Sequence, residues 1–228
     1  MRYSTLLLDA DMTLLDFDSD ESAALNEALA SYGIDCNESI LSAYHEINKG
    51  LWKKFELGEI EKSDIGKNRF TMLLKHIGFD KDGPELNRVY MQRLSFGGRL
   101  IDGAEELCSK LHKSGFKLYI ITNGTQHIQQ SRLQRSGLLE YIDGVFVSEQ
   151  VGFPKPMKEY FDFVLSSIPE KDKSRILTVG DSLSSDIKGG LNAGLDTCLF
   201  APDESTASSE IKPLYTIKNL SELYSIIE

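Results

Sequence analysis

Two groups of aspartates follow apolar runs of the chain, where carboxylates can take part in chemistry. Asp9 and Asp11 come after "TLLL", and Asp181 comes after "RILTVG", with Asp186 five residues further on. Carboxylates at close range repel one another, and burial increases that cost, so a hard divalent cation would stabilise them. Mg²⁺ takes few protein carboxylates and keeps oxygen ligands from water or substrate. Asp9, Asp181 and a backbone carbonyl near Asp11 therefore predict a magnesium site.

Groups suited to binding an anion occur in two other places. Thr122, Asn123 and Gly124 follow "FKLYII", and they would present a hydroxyl and backbone N–H groups at the start of a helix. Lys155 lies between Pro154 and Pro156, which restrict the backbone around its ammonium. These residues predict a phosphate site, although Thr122 and Asn123 taken alone are also typical of a simple helix cap.

Together these groups predict phosphoryl transfer through a covalent aspartyl-phosphate. Asp9, at the strand end, is the predicted nucleophile. Asp11, two residues further on, is the predicted general acid and base. Lys155, Thr122, backbone amides and Mg²⁺ would neutralise charge on the transferring oxygens.

The acidic segment has two other interpretations. A calcium-binding EF-hand loop needs Gly at its sixth position and Glu at its twelfth, and neither is present. Aspartates are also typical of solvated turns and helix starts. We expect this of Asp16, Asp18 and Asp20, which would lead the chain out of the first strand.

The predicted strands are continuous apolar runs followed by turns and helical patterns. Such runs are typical of parallel strands that are buried on both faces. We therefore expect an α/β fold with a doubly wound, Rossmann-like parallel sheet, whose carboxyl edge collects the groups named above. The predicted strands are 3–9, 116–124, 143–149, 174–181 and 196–200, and the predicted helices that follow the insert are 103–114, 125–136, 157–166 and 184–193.

The stretch from residue 17 to residue 92 has helical patterns and no convincing strand. Glycines and an Asp-Gly-Pro turn separate its helices. We predict that residues 1–16 and 93–228 form the core domain, and that residues 17–92 form an all-helical cap over the carboxyl edge of the sheet.

Composition limits the classes of function. The 228 residues include 41% hydrophobic and 26% charged residues, as in ordinary globular proteins, and the formal net charge of −10 disfavours a nucleic-acid polymer as partner. The chain has no apolar run of membrane-spanning length, and its three widely spaced cysteines form neither a zinc pattern nor a disulfide framework. We expect a cytoplasmic protein without membrane partners, as a monomer or weak homodimer.

The motifs resemble those of the haloacid dehalogenase (HAD) superfamily. The four matching segments occur in the family's order across almost the whole chain. The resemblance implies that Asp9, the Asp11 carbonyl and Asp181 bind Mg²⁺, with Asp186 ordering a metal-bound water. It also implies that the helical insert is a C1 cap. The segments are Asp9-Ala10-Asp11-Met12-Thr13, Thr122-Asn123-Gly124, Lys155 and Gly180-Asp181 through Asp186.

Within the superfamily, the second aspartate distinguishes the reactions. Dehalogenases and phosphonatases lack an acid at that place, so Asp11 favours phosphate esters as substrates. The chain is also similar to the cytoplasmic pyrimidine 5′-nucleotidases of the superfamily, through "DADMTLLDFDS", "NKGLWKKFELGEI" and "VGDSLSSDIKGGLNAGLDTC" among other stretches. The sequence departs from the pattern of these nucleotidases at two places, neither of which carries a group of the predicted mechanism. These places are Asp102, where a proline is common, and Phe153-Pro154 before Lys155.

The resemblance therefore implies a Mg²⁺-dependent phosphomonoesterase acting on a small phosphorylated metabolite, above all a nucleoside 5′-monophosphate. A sugar-phosphate phosphatase or a phosphomutase of the same superfamily is the alternative. A binding module that keeps the site without turnover is a further alternative from another class. In the cap, Trp52 and Phe55 are candidates for stacking on a base, although aromatic residues on a helix more often serve packing.

Overall fold

The structure is a computed structural model, and it describes residues 2–202 and 210–227. The chain divides into two compact units, one of Met1–Phe17 with Gly98–Glu228 and one of Asp18–Gly97. The predicted divisions lie after residues 16 and 92, within a few residues of these boundaries. None of the helices in the described part of the chain has the length and apolar character that crossing a bilayer requires.

The first unit is built on a six-stranded parallel sheet in the order β3-β2-β1-β4-β5-β6. The central strand β1 is buried along its whole length, because it pairs with β2 on one side and β4 on the other. The strands are β1 (Thr5–Asp9), β2 (Lys117–Thr122), β3 (Gly144–Val147), β4 (Ile176–Gly180), β5 (Asp196–Phe200) and β6 (Tyr215–Ile217).

Helices pack on both faces of this sheet, so successive side chains of β1 point into different cores. Leu6 and Leu8 pack with Leu107 and Leu223 on one face, whereas Leu7 packs with Phe161 on the other. This arrangement confirms the predicted doubly wound α/β fold. The helices of this unit are α5 (Ala104–Lys113), α6 (Gln126–Ser136), α7 (Ser148–Val151), α8 (Lys158–Ser167), α9 (Lys188–Asn192) and α10 (Leu223–Ile227).

The structure differs from the sequence analysis at the ends of several elements. The sheet has a sixth strand, β6, which pairs with β5 and was not predicted. Three residues are too short a run to show a periodic pattern, so only pairing with a neighbour identifies this strand. The predicted helix 184–193 is a π-helical turn at Leu183–Ile187 that continues into α9.

The second unit contains four helices and, among its residues, no strand. Its core includes Tyr44, Phe70 and Tyr90, whose ring centroids lie 5.3–5.8 Å apart. A buried carboxylate, Glu21, accepts hydrogen bonds from Asn48 at 2.8 Å and from the Tyr90 hydroxyl at 3.2 Å. The helices are α1 (Phe17–Ala30, starting one residue before the boundary), α2 (Glu38–Glu56), α3 (Lys62–His76) and α4 (Gly83–Leu94).

Candidate active site

The backbone turns sharply where β1 ends, and this turn separates Asp9 from Asp11. The carbonyl of Ala10 accepts hydrogen bonds from the N–H groups of Leu14 and Leu15, at 3.0 and 2.8 Å. Met12 adopts the left-handed region, with φ of 58°, which is unusual for a residue with a side chain. Asp9 is therefore held at the buried strand end, while Asp11 lies in the loop beyond it.

Lys155 is buried, and its ammonium joins the carboxylates of two distant segments. Its Nζ lies 2.5 Å from Asp9 Oδ1 and 2.7 Å from Asp186 Oδ1, and it also donates to the carbonyl of Ile121 at 3.0 Å. Burial by itself lowers the pKa of Lys155, but the charges of Asp186 and Asp9 outweigh it and raise that pKa above its ordinary value. The two neighbouring carboxylates therefore favour the charged form of Lys155 at the end of β1.

Asn123 fixes the backbone of Lys155. Its Oδ1 accepts from the Lys155 N–H, and its Nδ2 donates to the Lys155 carbonyl, both at 2.9 Å. This reciprocal pair connects the end of β2 to the loop that carries the lysine. The Asn123 amide thus positions Lys155, and its predicted contact with phosphate stays a prediction.

Three carboxylates form one acidic cluster, with ligand oxygens of Asp9, Asp181 and Asp186 within 4.8 Å of one another. Burial, followed by the charge of Asp186, raises the pKa of Asp9 well above its ordinary value, against the opposing effect of Lys155. The same two causes raise the pKa of Asp181 to about 7. One ammonium thus faces three acids, so the cluster favours additional positive charge.

Thr122 ends β2 beside this cluster, because Ile121 is the register partner of Asp9. Its backbone N–H donates to the Tyr160 hydroxyl at 3.1 Å, and its Oγ1 accepts from the Gly124 N–H at 3.0 Å. The hydroxyl and the loop that leads into α6 are therefore held next to the proposed nucleophile.

Residues 3–194 match the family of haloacid dehalogenase-like hydrolases. The chain belongs to this family. It is 45% identical to the HAD-hydrolase YfnB of Bacillus subtilis, over 99% of this chain and 96% of YfnB. A crystal structure of YfnB bound to magnesium superimposes with a TM-score of 0.95, covering 100% of both chains.

Two further relatives of this HAD hydrolase have names that state an activity. The pyrimidine 5′-nucleotidase PynA of Streptococcus pneumoniae is 36% identical over 100% of this chain and 96% of its own. The pyrimidine 5′-nucleotidase YjjG of Escherichia coli is 33% identical over 100% of this chain and 99% of its own.

The acidic cluster of this HAD hydrolase fits a hard divalent cation. Its donors are carboxylate oxygens, which Mg²⁺ and Ca²⁺ prefer over softer ligands. Burial and the charge of Asp186 raise the pKa values of Asp9 and Asp181, and a bound cation would oppose both effects. Of the four predicted metal residues, the cluster contains Asp9, Asp181 and Asp186, whereas the contribution of Asp11 through its carbonyl stays a prediction.

Asp186 reaches the cluster because Gly180 has no side chain. A Cβ added to Gly180 would overlap the carboxyl carbon of Asp186. The other oxygen of Asp186, Oδ2, accepts from the Ser182 N–H at 3.1 Å, and the side chain is fully buried. The π-helical turn after β4 and the glycine before it thus hold this acid against Lys155.

The carboxylate of Asp11 has two partners that the sequence analysis did not identify. Arg132 donates to Asp11 Oδ1, and Gln129 donates to Asp11 Oδ2 at 2.6 Å. Both partners are polar residues on the buried face of α6, beside Ile128 and Leu133. Two polar side chains three residues apart on an otherwise apolar helix face are the only feature of the sequence that could have indicated these partners of Asp11.

Proposed function

We propose that this HAD hydrolase is a Mg²⁺-dependent phosphomonoesterase that works through an aspartyl-phosphate on Asp9. The observation that carries the proposal is the clustering of Asp9, Asp181 and Asp186, two of which, Asp9 and Asp186, contact the ammonium of Lys155. An attacking carboxylate, a fixed cation and donors for a metal are the parts that phosphoryl transfer requires. The proposed phosphate-binding groups are Lys155 and the segment at the end of β2, Thr122, Asn123 and Gly124.

In the first half of the reaction, a carboxylate oxygen of Asp9 attacks phosphorus in line with the ester oxygen. The Oδ–P bond forms, the bond between phosphorus and the ester oxygen breaks, and Asp11 donates a proton to the leaving alkoxide. In the second half, Asp11 accepts a proton from the attacking water, and the Asp9 carboxylate is released with inorganic phosphate. Asp11 keeps 28% of its side chain exposed, so it is accessible for both transfers.

The charge on the transferring phosphoryl group needs compensation throughout. Lys155 supplies one fixed positive charge, and the Thr122 hydroxyl supplies a hydrogen-bond donor. Mg²⁺ held by Asp9, Asp181 and the Asp11 carbonyl, with Asp186 beside it, would neutralise charge on the phosphoryl oxygens.

We further propose nucleoside 5′-monophosphates, in particular pyrimidine ones, as the substrate class. Support comes from PynA and YjjG, both pyrimidine 5′-nucleotidases that align with this chain over its whole length. The presence of Asp11, an acid that carbon–halogen cleavage does not use, supports an ester substrate. The assignment of residues 17–92 as a substrate-selecting cap stays a prediction, as do cytoplasmic localisation and the monomeric or weakly dimeric state.

A substrate panel tests the proposal. Purified protein with Mg²⁺ is expected to release phosphate from UMP, dUMP or dTMP faster than from sugar phosphates, and chelation by EDTA is expected to stop the release. Asp9→Asn is expected to remove turnover while the circular dichroism spectrum stays unchanged. Absence of turnover across the panel, or full activity in Asp9→Asn, would contradict the proposal; an isomerised product would identify a phosphomutase instead.

A further inference from the structure

Arg132 and Gln129 form a buried polar brace on α6 that ends on the carboxylate of Asp11. Arg132 and Gln129 are each 1% exposed. Arg132 donates to Asp11 Oδ1 and, at 3.1 Å, to Gln129 Oε1, and its guanidinium lies over the ring of Phe17. Removing Arg132 would take away one of the two donors that hold the Asp11 carboxylate, and it would also remove the donor to Gln129 Oε1.

The amide of Gln129 also connects Asp11 to Thr122. Its Nε2 donates to Asp11 Oδ2 at 2.6 Å and to Thr122 Oγ1 at 2.9 Å. The reverse orientation of the amide would place its oxygen against the Asp11 carboxylate, so the neighbouring charges determine the orientation. One side chain therefore contacts both the proposed acid and base and the proposed phosphate-binding hydroxyl.

The two bonds to Thr122 have a consequence for its hydroxyl. Thr122 Oγ1 accepts from Gln129 Nε2 and from the Gly124 N–H. A hydroxyl has two acceptor lone pairs and one proton, so both lone pairs are engaged and the proton is left for donation. Gln129 thereby makes the Thr122 hydroxyl a donor, as binding of a phosphate oxygen requires.

The brace packs directly against the loop between β2 and α6. A Cβ added to Gly124 would overlap the amide group of Gln129. The absence of a side chain at Gly124 therefore makes room for Gln129 beside Thr122.

We propose that Arg132 and Gln129 are positioning residues, which orient the Asp11 carboxylate for proton transfer and hold the Thr122 hydroxyl as a phosphate donor. Each residue acts through another side chain: Arg132 through Asp11, and Gln129 through Asp11 and Thr122. The inference rests on the proposed phosphatase function. The two residues have different expected effects, because Arg132 contacts Asp11, whereas Gln129 contacts both Asp11 and Thr122.

The dependence of the rate on the leaving group tests the role of Arg132. An alkyl phosphate such as UMP needs a proton on its leaving oxygen, whereas 4-nitrophenyl phosphate releases a stable phenolate with little need of one. The ratio kcat/KM reports the steps from free enzyme and substrate up to release of the alcohol, so it is sensitive to protonation of the leaving group.

Arg132→Met is expected to lower kcat/KM for UMP roughly 10- to 100-fold and for 4-nitrophenyl phosphate by less than about threefold. Arg135→Met, an exposed arginine on the same helix, is the matched control and should change neither.

A double-mutant cycle shows whether Arg132 acts through Asp11. In the Asp11→Asn background, Arg132→Met is expected to produce no further leaving-group effect, because the group that it positions has been removed. A further selective loss for UMP in that background would overturn the role of Arg132 as a positioning residue for Asp11.

Gln129→Leu provides an independent test if Arg132→Met does not fold. It is expected to show the same selective loss for UMP and also a weaker competitive inhibition by inorganic phosphate, since Thr122 loses its fixed donor direction. Equal losses for both esters, with unchanged inhibition by phosphate, would overturn the inference while the phosphatase function stands. Absence of Asp9-dependent turnover of either ester by the unaltered protein would overturn the proposed function and this inference with it.

Discussion

Lys155 and Asp9 lie 146 residues apart in the sequence, yet the Lys155 ammonium contacts a carboxylate oxygen of Asp9 at 2.5 Å. The same ammonium contacts Asp186, so a single cation joins the end of β1 to the π-helical turn that follows β4. All three side chains are buried, and a buried charge is tolerated only when it is paired. The ion pair is therefore part of the fold as well as of the proposed site.

Replacing Lys155 with Met is expected to impair both stability and activity. Loss of one partner from a buried ion pair costs about 3–5 kcal/mol of unfolding free energy, because the remaining carboxylates are left uncompensated. Turnover should fall by roughly 10²–10³-fold, since a fixed cation next to the phosphoryl group is lost. Urea unfolding and kcat measure the two effects.

The control for this variant is Lys158→Met. Lys158 pairs with Asp162 at 2.5 Å, but both side chains are largely exposed, so its removal should cost about 0–1 kcal/mol. Similar losses of stability in the two variants would contradict the role given to the buried pair.

Magnesium is expected to stabilise the protein by binding the acidic cluster of the folded state. A ligand that binds the folded state adds about 2.7 kcal/mol at a concentration one hundred times its Kd. The Tm of the unaltered protein should therefore rise when MgCl₂ replaces EDTA, and the rise should shrink in Asp181→Asn. Differential scanning calorimetry gives both values.

In EDTA, the same Asp181→Asn variant should be at least as stable as the unaltered protein. Burial and Asp186 raise the pKa of Asp181 to about 7, so its charge is unfavourable in the fold when no cation is bound. Asp162→Asn, outside the cluster, is the control for the magnesium response. An undiminished rise of Tm with magnesium in Asp181→Asn would exclude this acid as a ligand.

Gly180→Ala is expected to displace Asp186, because the added methyl group would occupy the position of its carboxyl group. A displacement of about 1 Å in such a site lowers turnover by about 10²-fold. Phosphate release from the best substrate of the panel measures the effect.

Gly50→Ala is the control for this substitution, because it adds the same methyl group at a position where there is space for it. Gly50 lies within α2, and a Cβ there would meet no atom within 4 Å. Alanine should therefore stabilise the helix by about 0.5–1 kcal/mol. Equal activity of Gly180→Ala and the unaltered protein would contradict the steric argument.

The buried Glu21 of the helical unit predicts a pH dependence of stability. Burial raises the pKa of Glu21, against the lowering effects of His45, Arg69 and the Tyr90 hydroxyl, while Asp18 raises it further. The folded state therefore binds a proton more readily than the unfolded state. Stability should fall as pH rises from the unfolded value, about 4.3, through the raised pKa of Glu21.

Glu21→Gln is expected to reduce this slope, because an amide has no proton to release in that range; Asp9 and Asp181, whose pKa values are also raised, contribute the remainder. The side chain of Trp52, the only tryptophan of the chain, lies on α2 and reports unfolding of the helical unit by fluorescence. His45→Gln is the matched control for the imidazole, whose Nδ1 lies 3.0 Å from Glu21 Oε2. An unchanged slope in Glu21→Gln would assign the pH dependence to another group.

Much of the fold was predictable from local patterns. Continuous apolar runs such as "TLLLD" predicted buried parallel strands, and β1 is buried at all five positions. Strand β6 and the π-helical turn after β4 were not predicted, because both depend on pairing or packing with distant residues. The predicted end of the helical insert, residue 92, falls two residues before the end of α4 at Leu94 and five before the end of the second unit at Gly97.

The sequence by itself determined which chemical groups occur and in which order. Because parallel strands end at one edge, it also determined that Asp9, Thr122, Lys155 and Asp181 would be neighbours. Only the tertiary structure decided the pairing of side chains: Asn123 holds the backbone of Lys155, and Arg132 holds Asp11 across 121 residues. Such pairs depend on register, burial and charge balance in three dimensions, and no local pattern of the chain records them.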